Sequence, residues 1–307
     1  MTTLTSPTQT SHTTSTTTAA ADATTAAAEP ALLPGGRRSR RAQLLRRPGV
    51  VVAVLYVLLA LGTAAVPGLY TGVDPQQPHP ADKLLPPGGQ YWFGTDELGR
   101  DLFARVVHGS ALTVQATLVA LAIAVVAGLL VGLVSGFCGG WVDVVLMRGV
   151  DVVLAIPTLL LSLTIITALG FGTVNVAIAV GVALVPGFAR ITRAEVLRVK
   201  TLPYIEAARS GGATWTSVLR RHVLPNTWGP VVVLAVLDVG TAILAVSSLS
   251  FLGFGAQPPH ADWGSLIASG RTYLVTNPWL SLLPGLAVGL LVLSLNHVAK
   301  SLEEVAR

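Results

Sequence analysis

Side chains able to do chemistry are sparse in this sequence, and their spacing excludes most of what they could do together. The six histidines, His12, His79, His108, His222, His260 and His297, include no two at ligand spacing, and the chain has one cysteine, Cys138. A zinc-type site therefore has no donor set. The three lysines follow Asp82, Val199 and Ala299, so no G-K-[ST] phosphate loop exists and the chain has no nucleotide site of its own. Serines are plentiful, but no nucleophile elbow frames one. A single thiol permits no internal disulfide, and Cys138, in "GFCGGW", reads as a small apolar residue. Enzymatic catalysis is not expected. What stands out instead is one polar stretch in an oily chain, "YIEAARSGGATWTSVLRRHVLPN", from Tyr204 to Asn226.

Its chemistry is that of contact rather than reaction. Pro203 suits the first turn of a helix, where its missing N–H costs nothing. Tyr204, Ala207, Ala208 and Gly211 follow at helical spacing and make a face of mostly small side chains, which another surface can approach closely. Gly211 and Gly212 end that helix and allow a turn. Thr214 is placed to cap a second helix, with Trp215, Val218, Leu219 and His222 on one side, Ser217 and Arg221 on the other, and Arg220 near the boundary. This second helix is amphipathic and suits a membrane interface or the ends of other helices. Leu224 and Pro225 lead the chain back toward apolar sequence.

The elements that must position this insert are set by composition. Of 307 residues, 52% are hydrophobic and 11% charged, with mean hydropathy +0.67. Soluble domains carry about a quarter charged residues, and roughly 20 apolar residues cross the hydrocarbon core as a helix. An all-α integral membrane protein follows. Six spans are expected, the first over 49–67 and others near 112–135, 147–169, 174–192, 228–249 and 280–298, with the third and fourth separated at "GFGT", Gly170 to Thr173. A cleaved leader is the alternative for the first; its basic flank lies far from the N-terminus for that. Residues 1–48 read as a disordered Thr/Ala-rich tail ending in the basic block "RRSRRAQLLRR". Residues 68–111 and 250–279 read as extracytoplasmic segments, 193–226 as a cytoplasmic loop, 112–298 as a five-helix core, and 299–307 as a C-terminal tail.

Lys and Arg are retained on the cytoplasmic side. With the N-terminus inside, the inner segments hold sixteen of the 20 Lys and Arg residues, and the outer segments only Lys83, Arg100, Arg105 and Arg271. Both termini and the polar insert are thus expected in the cytoplasm. The net charge of +5 fits this topology better than it fits a nucleic-acid partner.

The pattern Glu206-Ala207-Ala208, then Gly212, then Leu224-Pro225, resembles the EAA loop of ABC importer permeases. "FGTDELGRD" (Phe93 to Asp101), "MRGVDVVLAIPTLLL" (Met147 to Leu161), "SLSFLGFGAQPP" (Ser248 to Pro259) and "DWG" (Asp262 to Gly264) are similar to the dipeptide/oligopeptide/nickel branch of that family. The likeness covers residues from about 90 to 298. It implies a type I importer permease fold and a loop that forms a coupling helix in a cleft of a cytoplasmic ATPase, with Arg209 adding a charged contact to the ATPase or to lipid headgroups. It also implies two ATP-binding subunits that hold ATP and Mg, a second homologous permease, an extracytoplasmic solute-binding protein, and no cofactor on this chain. Di- or oligopeptides are the expected cargo, with nickel chelates or glutathione as alternatives. A secondary transporter or a membrane scaffold is the alternative of another class. A secondary transporter would want inverted repeats and broken helices near the midplane, and no clear internal repeat is present.

Polar residues within the spans complete the candidates. A charge at the centre of a helix in lipid costs about 2.5–3.5 kcal/mol on insertion scales, so Asp238 must face protein or water, as a pathway residue or in a subunit pairing, unless it lies nearer the interface. Asp151 is expected in an ion pair with Arg148, and Asn175 and Asn296 as interhelical hydrogen bonders. Gly128, Gly132 and Gly136, four apart, suit close helix packing. Trp92 and Trp263 are expected as interfacial anchors.

Overall fold

The computed structural model describes the chain from Pro48 to Ala306 in backbone, and its side chains as far as Ser301. Residues 1–47, which carry the expected tail and basic block, lie outside the described residues. The described chain is helical: α1 Pro48–Ala65, α2 Leu102–Cys138, α3 Gly140–Leu154, α4 Thr158–Leu169, α5 Thr173–Lys200, α6 Pro203–Ser210, α7 Trp215–Phe251, α8 Trp263–Gly270 and α9 Trp279–Ala306. By length and composition, α1, α2, α5, α7 and α9 each suffice to cross a membrane, and α3 with α4 makes a sixth, bent span.

That bend departs from the single helix expected over 147–169. The two helices meet at 94° because Pro157 supplies no N–H and disfavours helical backbone at Ile156 before it. The second span also begins earlier than 112. Asp101 caps α2 by accepting from the N–H groups of Phe103 (2.8 Å) and Ala104 (3.3 Å), and α2 runs 37 residues, about 55 Å. Arg105 inside it is tolerated because Asp96 lies beside it, Nε to Oδ2 3.5 Å.

The largest interface joins α2 to α5. Ala120, Ala124, Gly128, Gly132 and Gly136 form a buried stripe four residues apart along α2. A Cβ added at Gly132 would meet Ala189 O and Thr192 Cβ, each at 2.5 Å, and one at Gly136 would meet Val196 Cβ at 2.8 Å. The missing side chains are what let the two backbones touch. Around this pair α7 and α4 add Val246, Leu249 and Ile166 to one apolar cluster, and α9, α1 and α8 build a second with Leu102, Trp263, Leu280 and Leu291.

Candidate functional site

The insert is built from the backbone outward. Pro203 opens α6, and Ile205, 2% exposed, is its anchor among Val196, Val199, Val218 and Val223. The helix ends as expected at the paired glycines: Gly212 N–H donates to Arg209 O and Ala213 N–H to Ala208 O, both at 3.0 Å. That double bond pattern needs a left-handed residue at Gly212, whose φ is +85°, a conformation glycine adopts without penalty. Thr214 then caps the next helix by accepting from Ser217 N–H at 3.4 Å.

Here the structure adds a feature absent from the sequence reading. Leu224 and Pro225 do not interrupt the chain: α7 runs without a break from Trp215 into the membrane-length helix. Through Leu219–Val223 the hydrogen bonds widen by one residue, so that Leu224 N–H donates to Leu219 O. This local π-turn absorbs a proline in the helix interior.

The insert is tied to the bundle by aromatic and cationic contacts. The Arg209 guanidinium lies 4.1 Å from the Trp215 ring, which meets Phe137 edge-on at 5.3 Å. Lys200 Nζ donates to the carbonyls of Gly136 (3.0 Å) and Phe137 (2.9 Å) at the end of α2, where a cation suits the helix dipole. Tyr204 and His222 rings lie 5.9 Å apart, and Asn226 Nδ2 donates to Tyr204 OH at 3.2 Å. With Ile205 turned inward, Tyr204, Glu206, Ala207 and Gly211 stay exposed and Ala208 is half-buried. The small-residue face is held firmly from behind and left open in front. Leu224 is half-buried, Pro225 exposed.

The intramembrane candidates separate. Asp238, in the middle of α7, is half-buried and makes no ion pair or side-chain hydrogen bond among the described residues. Asp151 pairs with Arg190 of α5 at 2.7 Å, and both side chains are more than half exposed. The expected partner Arg148 is replaced because the bend at Pro157 brings α3 alongside α5. Asn175 is a local fastener: its Nδ2 donates to Leu169 O, Gly170 O and Phe171 O at 3.0–3.2 Å. It satisfies the carbonyls at the end of α4 rather than reaching a distant helix. Asn296 sits against Gly240 of α7.

Several polar residues that organise the molecule were missed. At the end of α2 nearest the insert, Arg193 grips Asp143 with Nε at 2.5 Å and Nη2 at 2.6 Å, and Ser135 Oγ donates to the same carboxylate. At the far end, buried Asp96 accepts from Leu98 N–H, Arg100 N–H and Arg100 Nε at 2.9, 3.0 and 2.6 Å. Buried Asp262 accepts from Ser265 N–H (2.9 Å), Ala256 N–H (2.8 Å) and Ser250 Oγ (3.1 Å). Trp263 donates from Nε1 to Val106 O at 2.8 Å and is 3% exposed. It is therefore a core residue, not the interfacial anchor expected; Trp92 is 67% exposed. The Asp262-x-x-Ser265 spacing is a readable capping signature; the pairing of Asp143 with Arg193, 50 residues apart, left no local signal. Nearby, Tyr91 donates to Asp82 at 2.8 Å, and that bond to a carboxylate raises its phenol above the ordinary value.

Comparison with known proteins gives these features a setting. Residues 124–305 match the family described as binding-protein-dependent transport system inner membrane component. The chain is 40% identical to the probable D,D-dipeptide transport system permease protein of Escherichia coli strain K12, over 80% of this chain and 82% of that one. It is 34% identical to the dipeptide transport system permease protein of Alkalihalophilus pseudofirmus, covering 83% of each. To the glutathione transport system permease protein of an Escherichia coli O6:K15:H31 strain it is 40% identical, over 82% of this chain and 84% of that one. Among solved structures, an amino acid ABC transporter crystallised with histidines aligns with 66% of this chain and 94% of its own, at TM-score 0.51 and 17% identity, a likeness of fold.

Proposed function

Since the chain belongs to the binding-protein-dependent transport system inner membrane components, we propose that it is the permease subunit of an ATP-driven ABC importer of di- or oligopeptides, half of a transmembrane pathway. The observation that carries this is the open face of α6. A short helix of small residues is anchored by one buried isoleucine, closed by a left-handed glycine and presented outward. That is a handle for a partner. ATP and Mg belong to two cytoplasmic ATPase subunits, each closing on such a helix, and motion of the handle passes through Trp215 and Phe137 to α2, a rigid two-state coupling.

The other partners follow from what is left uncovered. The bent pair α3–α4 exposes Trp141, Val144, Val152 and Leu160 at 57–78%. Lipid covers part of such a surface, and a second homologous permease covers the rest. Both termini and the insert lie in the cytoplasm by the distribution of Lys and Arg. The opposite end, around residues 68–111 and 250–279, then faces an extracytoplasmic solute-binding protein. Asp238, half-buried and unpaired among the described residues, is a pathway residue; uptake by an Asp238→Asn variant equal to that of the parent would remove it from that role.

Glutathione is the second reading, because the chain is as similar to a named glutathione permease as to a named dipeptide permease. The decisive experiment co-expresses the chain with its neighbouring subunits. ATPases should co-purify in fixed proportion, and Ala207→Trp, at an exposed position the fold tolerates, should release them. Retention of the ATPases by that variant would defeat the docking assignment.

A further inference from the structure

At the end of α2 remote from the insert lies a cavity of about 360 Å³, lined among others by Asp74, Gln76, Arg105, His108, Gln115 and His260. From Arg105 to Phe137 the helix spans about 48 Å, so the cavity and the handle sit at opposite ends of one rod. The volume falls in the range of small-molecule sites, about 300–1,000 Å³. Arg105, His108, Leu112 and Gln115 share one flank of α2 by their three- and four-residue spacing, a flank distinct from the glycine stripe that packs on α5. Gln115 is exposed thirteen residues into a membrane-length helix, about 20 Å from its start. An amide at that depth is expensive in lipid and belongs against water or a polar ligand.

The donors and acceptors there are arranged for a molecule that carries both. Arg105 is 7% exposed; its Nη1 donates to Pro75 O at 3.3 Å, while Nε faces the Asp96 carboxylate at 3.5 Å and makes no hydrogen bond among the described residues. His108 Nδ1 lies 2.9 Å from Ala104 O. A carbonyl only accepts, so Nδ1 carries the proton and neutral His108 offers Nε2 as an acceptor. Gln76 Nε2 donates to His260 Nδ1 at 3.0 Å, which leaves His260 Nε2 as a donor and ties the 74–76 loop to the 259–261 loop at the cavity wall. Asp74 Oδ1 accepts Gln76 N–H at 2.9 Å, with its second oxygen available. One carboxylate, one guanidinium, two imidazoles and two amides, without strong net charge, match neither a simple anion nor a cation.

We propose that this cavity is a binding station for the main chain of a short peptide within the permease, its carboxylate toward Arg105 and its amide groups toward His108 and Gln115. The assignment rests on the peptide-importer reading and extends it by placing a cargo site on this chain as well as on the binding protein. The whole complex, in lipid nanodiscs and with Cys138→Ser, carries Gln115→Cys, and its modification by a maleimide is timed without binding protein. The probes are L-alanyl-L-alanine, D-alanyl-D-alanine and S-methylglutathione. A peptide that the parent complex takes up into proteoliposomes should slow modification about tenfold when saturating. Leu118→Cys, exposed on the same helix and away from the cavity, should react at an unchanged rate. His260→Cys in the loop provides the same readout if the helix variant fails to assemble. A transported peptide that protects neither cysteine overturns the station alone. In a second arm with binding protein added, its protection of the cysteine without peptide overturns the station in favour of protein docking. Uptake of none of the three by the parent overturns the peptide reading on which it rests.

Discussion

Around Asp96 and Asp262, carboxylates are 4% and 1% exposed and their acceptor sites are filled by backbone N–H, guanidinium and hydroxyl groups. At the other end of the bundle Glu206, Arg209, Arg220 and Arg221 stand exposed, and among the described residues none of them makes an ion pair. The same residue types thus do opposite work. In the first region they are spent inside the chain, joining the loops before α2 and after α7 into one block through Trp263 and Val106 O. In the second, apart from Arg209, whose guanidinium stacks on Trp215, they are kept for something outside it. A buried polar network is expensive to disturb, because each orphaned partner loses a full hydrogen bond in a low-dielectric site. An exposed set costs little to alter and changes only what binds. Loss of stability and loss of coupling should therefore map to different ends.

The largest expected effect lies between those ends, on the rod connecting them. Gly132→Val places a methyl-bearing carbon against Ala189 O and the Arg193 backbone N–H, neither of which can withdraw without moving α5. Overpacking of this kind costs about 3 kcal/mol or more, and folded protein recovered in detergent should fall to a small fraction of the parent's. Normal yield and thermal midpoint would mean that α2 and α5 separate freely and that no rigid rod links the two ends.

Next is Asp262→Ala. It leaves Ser265 N–H, Ala256 N–H and Ser250 Oγ without their acceptor in a site where Asp262 is 1% exposed. Unsatisfied buried donors cost about 1–3 kcal/mol each, softened where water enters, so a loss of about 2–3 kcal/mol is expected. The thermal midpoint of the detergent-solubilised complex measures it, and ATPase co-purification should survive in whatever folds. Gly212→Leu reverses the pattern. The space around it is open, but φ of +85° costs a branched L-residue about 1–2 kcal/mol, paid locally by unwinding the end of α6. Stability should change little, while uptake per ATP hydrolysed should fall severalfold; a parental ratio would detach the handle from transport.

The same contrast explains what could be read in advance. The insert was legible because every device in it is local: Pro203 at a helix start, Gly211-Gly212 at its end, Thr214 as the next cap. The Gly128–Gly132–Gly136 stripe was legible because its period is that of a helix face. What escaped depended on partners distant in sequence. The start of α2 was placed ten residues late because a charge at Arg105 argued against a span, and only the fold reveals Asp96 beside it. The third span looked continuous because hydropathy does not register the turn that Pro157 forces. Trp263 looked like an interfacial aromatic because nothing nearby in sequence announces Val106 O as its acceptor.

The smallest effect is expected at Asp151, where the sequence indicated an ion pair and the fold supplied a different partner. Asp151 and Arg190 meet at 2.7 Å, but their side chains are 52% and 57% exposed. If water reaches them as those exposures indicate, ion pairs of this kind are worth about 0–1 kcal/mol, because screening and side-chain entropy offset the attraction. Asp151→Asn should then shift the thermal midpoint of the solubilised complex within experimental scatter, and 0.5 M salt should reproduce the shift in the parent. Asp143→Asn is the informative partner variant. The Asp143 carboxylate is 16% exposed, held by two Arg193 nitrogens and a serine, and it ties α3 to α5 about two turns from Lys200, whose ammonium holds the end of α2. A larger loss there than at Asp151 would show that the handle end is also braced by a half-buried pair, just behind its exposed face. Equal, negligible losses at both positions would mean that packing at the glycine stripe, and not charge, holds α3 in place.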